Sequence, residues 1–124
     1  MTITQEEALQ ILNTPLHDVE APDNFGCLSD IHIEIMDNYL NAKPRSLTSI
    51  GSTLFHLIGH MQSNLYKLGL FMDYGHILNA DIQHIKNSNR CPVKLRVCIY
   101  QLLAKSIILE LLANVYTKSH LTTC

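Results

Sequence analysis

Tryptophan is absent from this 124-residue sequence, glycine occurs five times, proline four times, and charged residues make up only 16%. Such levels exclude a collagen-like chain, and 47% hydrophobic residues exclude a disordered one. Cys27, Cys91, Cys98 and Cys124 form no Cys-x-x-Cys pair, which removes zinc-knuckle and thioredoxin-type motifs and leaves four reduced thiols as the expectation. There is no glycine-rich phosphate loop and no Gly-x-Ser-x-Gly elbow, so neither a cofactor nor a conventional active site is expected. The most apolar stretch, Leu95 to Val115, contains Arg96, Gln101, Lys105, Glu110 and Asn114, too many polar groups for a membrane span. The opening Met-Thr-Ile-Thr-Gln-Glu-Glu is acidic with no apolar run behind it, the opposite of a secretory signal, and points to a cytoplasmic protein. A net charge of −2 gives no bulk attraction to nucleic acid or an anionic membrane.

The dominant positive signal is helical spacing. A chain of this size buries roughly 67% of its unfolded surface, enough for one core. The expectation is therefore a single domain over residues 1–124, with a short helix and irregular connector over 1–26 and the main bundle over 27–124. Thr4 and Glu7 form a capping box that opens the first helix, and Thr14-Pro15 closes it. A second helix over about 28–42 places Leu28, Ile31, Ile35, Met36, Tyr39 and Leu40 on one side and Asp30, Glu34, Asp37 and Asn41 on the other. Pro44 breaks the chain, and Ser46 can cap the next helix. That third, long helix over about 47–72 carries a continuous stripe from Leu47 through Leu54, Leu57, Met61 and Leu65 to Met72. Asp73-Tyr74-Gly75 separates it from a fourth over about 76–86. The fifth, about 92–118, starts at Pro92, a residue suited to a first helical position. The fold class is thus an all-α bundle of four to five helices with two long ones.

The fifth helix has two apolar faces. Val93, Val97, Tyr100, Ile107, Leu111 and Val115 lie on one side, and Leu95, Cys98, Leu102, Leu109 and Ala113 on the other. Lys94, Gln101 and Lys105 form one polar seam between them, and Arg96, Glu110 and Asn114 the second. A helix apolar on both sides must be covered on both sides. Either it lies at the centre of the bundle, or a second subunit covers one face and the protein is a homodimer.

Two further patterns point at contacts. Residues 1–42 hold eight acidic residues and not one Lys or Arg, a charge of −8, whereas residues 43–124 hold all nine cations and three anions, +6. The main expectation is a solvated, internally balanced surface, with docking of the acidic third on the basic remainder, in the same chain or a neighbour, as the alternative. Lys86, Arg90, Lys94 and Arg96 cluster within eleven residues and offer the only candidate nucleic-acid contact, without the interleaved aromatics such contacts use. Across 47–72 the only charged residue is Lys67, and the side away from the apolar stripe carries Ser49, Thr53, His56, His60, Ser63 and Asn64. Interface cores are depleted of charge, so this face reads as a protein-contact surface. Gly51, Gly59 and Gly69 each weaken a helix interior by about 1 kcal/mol relative to alanine but permit close approach.

His56 and His60, one turn apart, could grip a metal, with Asp81 and His84 as a second carboxylate–imidazole pair. Leu57 stands where a zinc protease needs its glutamate. Both histidines are expected to point away from the core stripe, whereas ligands inside helical bundles point inward. His32, within the second helix's apolar arc, reads as a buried neutral packing residue, and Asp81 as an N-cap rather than a buried acid. The segment from His60 to Gly69 is distantly similar to the histidine-phosphotransfer pattern, with Ser63 and Asn64 where that pattern has lysine and glycine. That resemblance implies an exposed phospho-accepting His60 beside Lys67. The reading that accounts for most of the sequence is a non-catalytic, protein-binding regulator: an adaptor, chaperone, inhibitor or regulatory subunit acting through helix faces.

Overall fold

The computed structural model describes residues 4–19, 26, 28–40, 47–88 and 90–122, excepting the side chains of residues 39–50, 92 and 116–122. Residues 20–25 of the expected connector over 15–26, the Ser46 cap, the Ser49 side chain, Cys27 and Cys124 lie outside those residues. The described elements are all helical. They are α1 (Gln5–Asn13), a 3-10 turn (Leu16–Asp18), α2 (Asp30–Ile35) running into a π-helical turn (Met36–Leu40), α3 (Leu47–Lys67), α4 (Phe71–Asn87) and α5 (Pro92–Thr122).

Local chemistry fixes the ends. The Thr4 hydroxyl accepts a hydrogen bond from the Glu7 N–H at 3.1 Å, opening α1 as its sequence predicts. The expected 47–72 helix stops five residues early. Gly69 takes φ +69°, Leu70 N–H donates to Leu65 O at 2.9 Å, and Gly69 N–H donates to Tyr66 O at 3.1 Å. These two bonds define a Schellman cap, for which a left-handed glycine is the usual residue. Gly69 therefore ends α3 instead of weakening its interior. α4 begins at Phe71 rather than 76, which puts Gly75 inside it and Asp81 at its middle. Ser88 closes α4 with its hydroxyl donating to His84 O at 3.0 Å. α5 extends to Thr122, beyond the expected 118.

α5 is the axis of the bundle, touching α1, α2, α3 and α4. From Cys98 to Ala113 none of its residues is exposed. Leu102, Leu103 and Leu109 are fully enclosed, each contributing roughly 1.5–3 kcal/mol of hydrophobic stabilisation. Leu57, Met61 and Leu65 of α3, Leu78 and Ile85 of α4, Ile35 of α2, and Leu12 and Leu16 of the leading segment complete the core. Of the two arrangements open for this helix, the central one holds, because the short leading helices supply the cover. No helix among the described residues is long and apolar enough to cross a membrane.

Candidate functional site

The residues expected to form a contact surface do not share one. On α3, His56 and Ser63 are exposed, but Thr53 and Asn64 are buried and His60 is half-buried, turned toward α2 and α5. α2 packs on that side, so the buried arc of α3 is wider than its apolar stripe. On α5, Ile107 is buried, and Tyr100 and Leu111 pack against the core. Only Val97 and Val115 of the expected interface on that helix remain exposed, together with Val93. The middle of the face that implied a second subunit, from Tyr100 to Leu111, is covered by this chain's own helices, while its ends at Val93, Val97 and Val115 are open.

An apolar groove of about 360 Å³ lies between α3 and α4, lined by Gly51, Leu54, Phe55, Ile58, Ile82, Ile85 and Lys86. Phe55 leaves 75% of its surface in solvent there. Lys86 is the one charged residue of the lining, and Arg90, Lys94 and Arg96 come after it in the chain, all exposed.

The polar seams of α5 point inward at two places. On one side Lys105, 1% exposed, donates to Asp81 Oδ2 at 2.8 Å and to Leu12 O at 3.3 Å. Burial raises the Asp81 pKa, while the hydrogen bond and charge of Lys105 and the Leu16 N–H oppose the rise. Asp81 is a buried ion-pair partner in mid-helix, not an N-cap. Beside it, Gln101 Nε2 donates to Val19 O at 2.9 Å. The leading segment is thus fastened through its main-chain oxygens. Its carboxylates Glu6, Glu7 and Asp18, with Asp30, Glu34 and Asp37, remain exposed, so they are not what docks it.

On the other side His32 of α2, His60 of α3 and Glu110 of α5 converge. His60 Nε2 lies 2.9 Å from Glu110 Oε1, with the Asn64 amide nitrogen at 3.4 Å. His32 Nε2 lies 2.8 Å from Ser106 Oγ. Burial, and secondarily His60, lower the His32 pKa to about 4, so its ring is neutral at pH 7. His32 is buried and neutral as expected, yet it belongs to a polar cluster that the residue spacing did not reveal. His60 points into the bundle, contrary to expectation, and its Nε2 is engaged, so it is not the free nitrogen phosphotransfer requires. His56, exposed, takes no part. Asp81 and His84 do not join them either: Asp81 binds Lys105, and the His84 ring lies 5.5 Å from that of His17. The available signal was a seam residue, Glu110 on α5, together with a histidine inside the apolar arc of α2.

The chain matches no family model, no curated protein and no solved structure.

Proposed function

We propose that this is a non-catalytic, cytoplasmic protein-binding module that takes an amphipathic helix of another protein into the groove between α3 and α4. The observation carrying this reading is the groove itself: an almost wholly apolar lining with Phe55 left in water and a single cation, Lys86, at its edge. Helix-in-groove recognition uses apolar anchors spaced three and four residues apart, and Lys86 selects a partner with Asp or Glu flanking those anchors. Self-association through the middle of α5, the other route open to a small helical regulator, is the weaker reading because Tyr100, Ile107 and Leu111 pack within this chain's own core.

Gly51 supplies the test. A Cβ built there meets no atom within 4 Å and needs no unusual backbone conformation, so Gly51→Leu is expected to extend into the groove without disturbing the fold. It should stabilise the protein by up to about 1 kcal/mol through helix propensity while abolishing partner binding. A photo-crosslinking residue at position 55, used in the cells that make the protein, should capture an acidic-flanked amphipathic segment. The same residue at exposed position 79 should not, and Gly51→Leu should suppress the capture. Cross-linking equal at both positions, or only to a second copy of this chain, overturns the reading.

A further inference from the structure

The cluster of His32, His60 and Glu110 contains a defect that hydrogen bonding among the described residues does not repair. His32 Nδ1 and Glu110 Oε2 are both buried, neither has a hydrogen-bond partner there, and they face each other at 3.7 Å. If the Nε2–H of His32 donates to Ser106 Oγ, Nδ1 presents a lone pair to a carboxylate oxygen, two acceptors in opposition. If Nδ1 carries the proton instead, 3.7 Å is too long for a hydrogen bond. Each arrangement leaves buried polar atoms unsatisfied, a cost that folding does not recover. A cation between them satisfies both atoms at once.

From these positions we infer that His32, His60 and Glu110 bind one zinc ion inside the bundle, at a site independent of the α3–α4 groove. Their donor atoms come from α2, α3 and α5 and all lie within 4.8 Å of one another. Tetrahedral zinc with bonds near 2.0–2.1 Å separates its donors by about 3.3 Å, so binding asks for a contraction of at most about 1.5 Å. Two imidazoles and a carboxylate are a borderline donor set that favours zinc and similar divalent transition ions over calcium or magnesium. Three protein donors leave a fourth coordination position. His60 is the half-buried member, so the ion enters past it. The hydrogen bond from His60 to Glu110 is exchanged for coordination, and Ser106 holds the His32 ring in the orientation that turns Nδ1 to the metal.

Titration of chelator-treated protein with zinc chloride, read by competition with a chromophoric chelator, should give one equivalent bound. Cobalt(II) in its place should show the intense visible bands of a four-coordinate site, and calcium should not compete. Glu110→Gln, which keeps the side-chain shape, should weaken zinc more than about 100-fold, and Ser106→Ala about 10-fold. His56→Ala should change nothing. If Glu110→Gln does not fold, His60→Gln at the half-exposed position gives the same readout. Absence of stoichiometric binding overturns the inference. So does binding that survives Glu110→Gln but falls with His56→Ala, which would mark surface chelation by the His56–His60 pair.

Discussion

Two polar clusters share the middle of α5, and they differ in completeness. Toward α1 and α4, the Lys105 ammonium finds Asp81 and the Leu12 carbonyl, and Gln101 finds the carbonyl of Val19. Toward α2 and α3, the carboxylate of Glu110 satisfies one oxygen on His60 and leaves the other facing an orphaned nitrogen of His32. The first cluster has a charge for its charge. The second sets a carboxylate against a ring that burial keeps neutral. A buried polar group that is paired serves the fold, and one left unpaired in the same fold asks what else it serves.

The contrast is tested most severely at Lys105. Lys105→Ala strands a buried carboxylate and should cost about 3–5 kcal/mol in urea unfolding, whereas the double change Asp81→Leu with Lys105→Met should return to within about 1 kcal/mol of the parent. A double variant as unstable as Lys105→Ala would deny the pair this balance. Next in size is an acid effect on the other cluster. The folded chain keeps His32 neutral down to about pH 4, while the unfolded chain takes up a proton near 6.5. The unfolded state therefore binds more protons in that window, and stability falls as pH drops through it, by up to about 3 kcal/mol. Metal-free His32→Gln should lack that component, and identical slopes in variant and parent would assign the acid sensitivity elsewhere. Smallest is Glu110→Gln in metal-free protein, expected within about 1 kcal/mol of the parent because it removes a carboxylate whose second oxygen was unsatisfied. A loss as large as that of Lys105→Ala would erase the distinction between the two clusters.

Much of this fold is legible in the residue order. The Thr4 cap, the stripe of α3, the two apolar faces of α5 and the seams between them all come from spacing of three and four. Spacing says which residues share a face, but not which element covers it. Gln101, Lys105 and Glu110 read as seam residues and became interior because α1 lies over one seam and α2 over the other. His60 reads as outward for the same reason: its own helix gives no sign that α2 will sit beside it. Gly69 before Leu70 was a readable stop signal, overridden by an apolar pattern that continues in α4. Asp81 stands three residues after Leu78 and four before Ile85, on the buried side of α4, and it reads as an N-cap only if the helix starts late, whereas α4 starts at Phe71.

The clasp on the leading segment has a consequence of its own. Gln101 and Lys105 grip the peptide oxygens of Leu12, His17 and Val19, atoms that every amino acid supplies alike. Such a grip is indifferent to spelling. Provided that Ala8, Leu12, Leu16 and Val19 keep their bulk, the outward letters of this stretch are free to drift, and a foreign sequence with those four anchors should seat in the same place.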